Sequence, residues 1–278
     1  EGCSKTYKNL VEKGMDGILV LGSLGEFFAI PLEQKKAIVK NAVKTVSGAA
    51  EVVAGTNCMV LEECIEFSNY ALKEGADSVM IIPPYYFHLP DDSIELFYDR
   101  IAERVAGPIY LYNFPGVMGY DIKPQVVLNV AMKHENIVGI KDTVPNIDHT
   151  RAIIQLLKDK RPEFEVYSGF DENMAHNVLG GGNGCIGGIS NFAPEIPSGF
   201  VKAARDNDLD AMATYQKKID ELMAIYGIGG HFAPTIKTAM VLRGIVDSDV
   251  CTAPLISSGP AEKEQILNLL DKAGLTTV

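Results

Sequence analysis

The chain predicts an α/β fold: a (β/α)8 barrel of parallel strands, followed by a helical C-terminal extension. Three observations lead there. Short runs rich in β-branched residues recur at Gly17–Leu21, Glu51–Ala54, Ser78–Ile82, Pro108–Tyr112, Ile137–Lys141, Phe164–Tyr167 and Cys185–Ile189. Their hydrophobicity is continuous rather than alternating, as in parallel strands covered on both faces. Helical patterns lie between them, and after about residue 193 the pattern turns wholly helical.

Each element follows from its own spacing. Helices are predicted at Leu32–Val46 (Ile38, Ala42, Val46), Leu61–Leu72 (Leu61, Ile65, Ser68, Leu72) and Ser93–Val105 (Ile94, Phe97, Ile101, Val105), each with an apolar stripe at a period near 3.6. Lys13-Gly-Met-Asp-Gly-Ile18 and Glu74-Gly-Ala-Asp-Ser-Val79 echo one another: a glycine helix stop, an acidic turn, then a strand. Such alternation gives a doubly wound sheet or a closed barrel. Seven strands are readable where a barrel needs eight, and the chain opens in a helix with Tyr7, Leu10 and Val11 on one face. A first strand preceding Glu1 would complete the barrel. Helical patterns at about 208–225, 232–243 and 261–273, with no strand between them, divide the chain into a barrel over 1–206 and a helical extension over 207–278.

At 278 residues and 47% hydrophobic, the chain can bury a full core. A net charge of −11 argues against nucleic acid or an anionic membrane surface as partner. Five scattered cysteines without a CxxC pair (Cys3, Cys58, Cys64, Cys185, Cys251) suit reduced thiols in a cytoplasmic protein. No apolar run reaches membrane-spanning length.

In a βα barrel, chemistry gathers where strands end and the following loops begin. Lys141 closes the apolar strand Asn136–Lys141. Removing an amine from water disfavours its charged form, and an uncharged amine attacks ketones and aldehydes. An isolated strand-end lysine more often snorkels to the rim, so its neighbours decide. Tyr110 and Tyr112 point to one side of their strand, into the barrel if Leu111 faces the helices, with Tyr112 nearer the catalytic end. A phenol there can act as general acid and base. Tyr112 and Lys141 are expected at similar heights on adjacent strands. Gly22-Ser-Leu-Gly-Glu26, just past a strand, can turn backbone N–H groups toward an anion while Ser23 passes a proton. Pro83-Pro-Tyr-Tyr86 holds two tyrosines stiffly, either with one ring facing the pocket or as aromatic packing at the barrel rim or a subunit contact. Gly180-Gly-Gly-Asn-Gly184 precedes a strand, which makes it a helix stop and tight turn instead of a phosphate loop. The five histidines show no metal-ligand spacing. An amine, a phenol and an anion-binding turn are parts for imine chemistry on a 2-oxo acid, with no metal or cofactor needed.

Six segments taken in order, GSLGEF at 22–27, PPYY at 83–86, YNFP at 112–115, GIKD at 139–142, GFDE at 169–172 and GGNGCIGGISNFAP at 181–194, resemble the dihydrodipicolinate synthase / N-acetylneuraminate lyase family of pyruvate-handling Schiff-base aldolases. The resemblance covers essentially the whole chain. It implies a TIM barrel with a three-helix C-terminal extension and a homo-oligomer, tetramer or dimer. It also implies roles: Lys141 as the imine-forming lysine, Tyr112 as the proton shuttle, and Ser23 with the Leu24 amide as holder of the 2-oxo acid carboxylate and proton relay. Tyr86 matches a tyrosine that reaches a neighbouring subunit's site, and Ile186 with Gly187 and Gly188 matches the pocket floor.

Two departures bear on the aldehyde partner. Leu24 stands where the lysine-pathway synthases carry a second threonine, and Val117 stands where they carry an arginine toward their substrate's carboxylate. An arginine fork is the natural partner of a carboxylate, so its absence favours a neutral, hydroxyl-rich aldehyde. The YNFP, GIKDT and GFDE text is similar to the 2-keto-3-deoxy sugar-acid aldolases. The expected activity is therefore reversible cleavage of such an acid to pyruvate and an aldehyde. The alternatives are a dihydrodipicolinate synthase, an N-acetylneuraminate lyase and a non-catalytic 2-oxo acid sensor.

Overall fold

The computed structural model describes residues 1–275. The chain begins with α1 (Gly2–Glu12), β1 (Gly17–Val20), α2 (Leu32–Val46) and β2 (Glu51–Gly55). There follow α3 (Leu61–Lys73), β3 (Ser78–Ile81), α4 (Asp91–Ala102), β4 (Ile109–Asn113), the single turn α5 (Pro115–Met118) and α6 (Pro124–Lys133). Then come β5 (Ile137–Asp142), α7 (Ile147–Leu157), β6 (Glu165–Ser168), α8 (Met174–Leu179) and β7 (Gly184–Cys185). The chain closes with α9 (Glu195–Arg205), α10 (Leu209–Leu222), α11 (Phe232–Leu242) and α12 (Pro260–Lys272). The seven strands follow one another in sheet order β1-β2-β3-β4-β5-β6-β7, and β2 to β7 are parallel. Two compact units emerge: Glu1–Glu51 with Gly188–Val278, and Val52–Gly187.

In the first unit, α1 ends as its sequence echo predicts. Gly14 takes φ +80°, its N–H reaching Val11 O and that of Met15 reaching Leu10 O. In the second unit, α3 ends identically: Gly75 takes φ +103°, with Gly75 N on Leu72 O and Ala76 N on Ala71 O. Only a residue without Cβ enters that region without strain while satisfying the last helical carbonyls. The three late helical patterns appear as α10, continued by a 3-10 turn over Met223–Gly227, then α11 and α12.

The second unit holds its core between sheet and helices. Val79, Ile81, Ile109, Leu111 and Ile140 are fully buried, as are Ile94 and Ile101 of α4 and Ile153 of α7. Two expectations shift. The α4 helix starts at Asp91, directly after Pro90, and stops at Ala102 instead of Val105. The strand expected over Cys185–Ile189 shrinks to Gly184–Cys185, with a 3-10 turn at Ile189–Asn191. Gly187 and Gly188 have no side chains to pack on a pleat, so the run leaves the ladder there.

A register shift between β4 and β5 matters most. Ile109 pairs with Ile137, but Tyr110 pairs with Gly139, so Val138 is an extra residue on β5. A one-residue slip exchanges the two faces of a strand. Because of it, Tyr112 pairs with Lys141 and Asn113 with Asp142.

Candidate active site

Parallel pairing in register sends partner side chains to the same face. One row on β4, β5 and β6 is therefore Tyr112, Lys141 and Tyr167, above a row of Tyr110, Gly139 and Glu165. Lys141 is 9% exposed, and its Nζ lies 4.7 Å from the ring centroid of Tyr112, itself 2% exposed. This is the adjacency expected from the strand ends. The lower row is knit by Glu165, whose Oε2 accepts from the Tyr110 hydroxyl and, at 2.9 Å, from the Tyr167 hydroxyl. Gly139 is obligatory there: a Cβ would sit 2.6 Å from Glu165 O and 2.6 Å from the Tyr110 ring.

The next residues along, Asn113 and Asp142, face the helices instead. Asn113 Nδ2 donates to Asp142 Oδ1 at 2.8 Å and to Asp121 Oδ1 at 2.7 Å, while its Oδ1 accepts from Ile122 N at 3.0 Å. Asp142 Oδ2 accepts from Thr150 Oγ1 at 2.5 Å and from His149 Nδ1 at 2.9 Å, both on α7. The other ring nitrogen of His149 faces Asp121 Oδ2 and Ile122 O, each at 3.1 Å. Two ring nitrogens facing only acceptors require the imidazolium. Burial works against that charge, but the hydrogen bonds and charges of Asp121 and Asp142 outweigh it and push the His149 pKa up to about 10. The residues following the tyrosine and the lysine are thus bonded to one another behind the sheet.

Thr143, just past this network, is buried, and its Oγ1 has no hydrogen-bond partner among the described residues. Such a hydroxyl costs free energy unless a ligand or water satisfies it. Ile186 N donates to Ser168 O at 2.9 Å, and a Cβ on Gly187 would fall 1.9 Å from the Asp171 carboxylate. Position 187 is therefore glycine because Asp171 lies against it. Val117 on α5 is 48% exposed; Tyr86 is 79% exposed and packs edge-on against Phe87 at 4.8 Å.

In the first unit, the turn after β1 carries Ser23 and Leu24. Leu21 and Glu26 bracket it with φ of +59° and +54°, and Glu26 N closes it onto Ser23 O at 3.2 Å. Non-glycine residues in that region are strained by about 1–2 kcal/mol each, and such strain concentrates at functional sites. Gly188 lies against this turn: a Cβ there would meet Leu24 Cδ1 at 2.9 Å and the Tyr226 hydroxyl at 2.1 Å. Tyr226, in the 3-10 turn after α10, carries no sequence signal, because helical spacing cannot show which loop it approaches. Among the described residues, no cluster of three or more His, Cys, Asp or Glu side chains could hold a metal ion, and no helix is long and apolar enough to cross a membrane.

Comparison with known proteins agrees with this geometry. Residues 1–273 match the sequence model of the dihydrodipicolinate synthetase family. The chain is 36% identical to the probable 2-dehydro-3-deoxy-D-pentonate aldolase YjhH of Escherichia coli K12, covering 97% of this chain and 89% of that one. It is 33% identical to a 4-hydroxy-tetrahydrodipicolinate synthase of Kosmotoga olearia, covering 98% and 91%. The crystal structure of Escherichia coli K12 YagE in complex with pyruvate superposes with a TM-score of 0.96 at 34% identity, covering 99% and 92%.

Proposed function

The chain belongs to the dihydrodipicolinate synthetase family and is a carbon–carbon lyase of its class I aldolase kind; we propose that it reversibly cleaves a 2-keto-3-deoxy sugar acid to pyruvate and a neutral aldehyde. The observation that carries this reading is the buried Lys141 amine 4.7 Å from the ring centre of Tyr112. The fold proposed with it is of the (β/α)8 kind, to which residues 1–206 contribute the seven described strands, followed by a helical extension over 207–278.

The amine of Lys141 attacks C2 of the 2-oxo acid, and the carbinolamine loses water to give an imine. The protonated imine is the electron sink. Tyr112 takes the proton of the C4 hydroxyl, the C3–C4 bond breaks, its electrons form the enamine, and the aldehyde leaves. The enamine regains a proton at C3, and water releases pyruvate and the free lysine. Ser23 relays the proton, and with the Leu24 N–H it holds the carboxylate, for which a turn of closely spaced backbone amides is suited. Ile186 and Gly187 form the floor beside the imine. Tyr86, on an exposed aromatic tip, serves a neighbouring copy in a dimer or tetramer. No cofactor enters the sequence of steps.

Val117 decides between aldehydes. An apolar side chain offers nothing to a second carboxylate, whereas Thr143 offers a hydroxyl to a polyol chain. The 36% identity to a protein named as a pentonate aldolase supports the same choice. A dihydrodipicolinate synthase is the second reading, favoured by the 33% identity to the Kosmotoga synthase.

Incubation with pyruvate and borohydride, followed by peptide mass spectrometry, tests the chemistry: the reduced adduct is expected on Lys141 and disappears in Lys141→Arg. An unmodified Lys141 under conditions that trap a control aldolase would refute it. Assays with pyruvate and either a neutral hydroxyaldehyde or aspartate semialdehyde separate the two substrate readings.

A further inference from the structure

Glu26, the last residue of the turn that carries Ser23 and Leu24, is a carboxylate only 3% exposed. Its Oε1 lies 2.7 Å from Lys237 Nζ on α11, an ion pair between side chains 4% and 30% exposed. Its Oε2 accepts from Thr252 N at 3.0 Å, and Lys237 Nζ also donates to Val250 O at 3.1 Å. Burial works against ionisation of Glu26, but the Lys237 ammonium and the Thr252 N–H outweigh it and hold the carboxyl below its ordinary range.

A buried ion pair is a poor source of stability, since an apolar pair of similar volume serves as well. What it supplies here is a fixed position. Glu26 is strained at φ +54°, and a strained residue persists only where its surroundings over-determine it. Its N–H closes the turn on Ser23 O, so relaxation of Glu26 toward ordinary φ moves Ser23 and the Leu24 amide with it. Gly25 fits this turn closely, since a Cβ on it would stand 3.1 Å from the Leu21 backbone.

We propose that Lys237, through Glu26, is a positioning residue that sets affinity for the 2-oxo acid carboxylate without touching it. This rests on the reading that Ser23 and Leu24 hold that carboxylate. Lys237 then determines how tightly pyruvate is held, and imine capture, the step that borohydride trapping reads, is left to Lys141 itself.

Borohydride trapping across a pyruvate titration gives the half-saturating concentration and the limiting trapping rate separately. Lys237→Met is expected to raise the former at least about tenfold, equivalent to losing one charged hydrogen bond to the carboxylate, and to leave the limiting rate within about threefold. Lys237→Arg, which keeps the charge, restores half-saturation to near wild type. Glu26→Gln keeps the shape and the Thr252 contact, behaves like Lys237→Met, and serves where the methionine variant fails to fold. Unchanged half-saturation in a folded Lys237→Met or Glu26→Gln, even with a lowered melting temperature, overturns the proposal. So does a fall in limiting rate alone. Ser23→Ala separates the two layers: if it raises half-saturation and the Lys237 variant does not, only the positioning role fails. If Ser23→Ala leaves half-saturation unchanged, the carboxylate reading and the positioning role fall together.

Discussion

The segment around Lys141 and Tyr112 and the segment around Ser23 are held in place by different physics. The first lies on strands whose register fixes which side chains meet, and the residues behind it are bonded through Asn113, Asp142 and His149. The second is a strained turn in which Glu26 N bonds Ser23 O and the Glu26 carboxylate pairs with Lys237 of α11. Register is a collective property of many backbone hydrogen bonds, so one substitution seldom changes it. A turn relies on fewer, individual contacts, the Glu26–Lys237 pair among them. On the proposed reading the imine forms on the sheet, while the turn binds the carboxylate and relays a proton.

The largest expected effects set these regions against each other. Tyr112→Phe removes the proton shuttle and leaves the amine, so kcat falls about 10²–10⁴-fold while borohydride still traps pyruvate on Lys141. Ser23→Ala deletes a hydrogen bond to a charged group, so the pyruvate KM rises about tenfold or more. Loss of trapping in Tyr112→Phe would mean that the phenol also holds the amine in place, and the division between chemistry and affinity would fail.

The two regions also differ in how plainly the sequence speaks of them. Lys141 and Tyr112 are legible because each closes an apolar strand, and a polar group at that place stands out. Their pairing is legible only in outline: that they meet in register depends on the bulge at Val138, which no residue type announces. His149 carries no signal in metal-ligand spacing. Its role as a cation between Asp121 and Asp142 depends on a loop and a helix converging, which linear spacing does not encode. Ser23 is legible through the glycines beside it. The clamp on it is not, because Lys237 lies on a helix at the other end of the chain and reads there as an ordinary surface cation. Contacts within one strand–helix unit leave a local trace, whereas contacts between chain ends leave none.

Two glycines give a middle-sized test of rigidity. A Cβ on Gly139 would meet the Glu165 carbonyl oxygen, which cannot move away without opening the β5–β6 ladder, and the buried Tyr110 ring, both at 2.6 Å. Gly139→Ala is expected to destabilise by about 1–3 kcal/mol, as overpacking does. A Cβ on Gly25 meets the Leu21 backbone at 3.1 Å, a contact that yields by a few tenths of an ångström. There the reduced freedom of the unfolded chain, worth about 0.4–1 kcal/mol in the opposite direction, roughly offsets the crowding. Gly25→Ala should therefore melt near wild type yet bind pyruvate less tightly. A large loss of melting temperature in Gly25→Ala would show the turn to be as rigid as the sheet.

The sharpest contrast comes from pH. His149 carries a pKa raised to about 10, against about 6.5 in an unfolded chain. Its contribution to stability is full below about pH 6.5 and fades as pH rises through about 10, where the imidazolium between the two carboxylates loses its proton. Glu26 is shifted the other way, below its unfolded value of about 4.3. Its contribution is full above that value and is lost as pH falls through the depressed folded pKa, when the carboxyl protonates and releases Lys237. Melting curves of wild type, His149→Gln and Glu26→Gln across pH separate the two. The wild-type advantage over His149→Gln should shrink from pH 6.5 toward 10.5, and the advantage over Glu26→Gln should shrink only in acid. A wild-type advantage over His149→Gln that is equal at pH 6 and pH 10.5 would mean the ring is neutral. The bond behind Lys141 would then be an ordinary one, and the sheet would owe its rigidity to register alone.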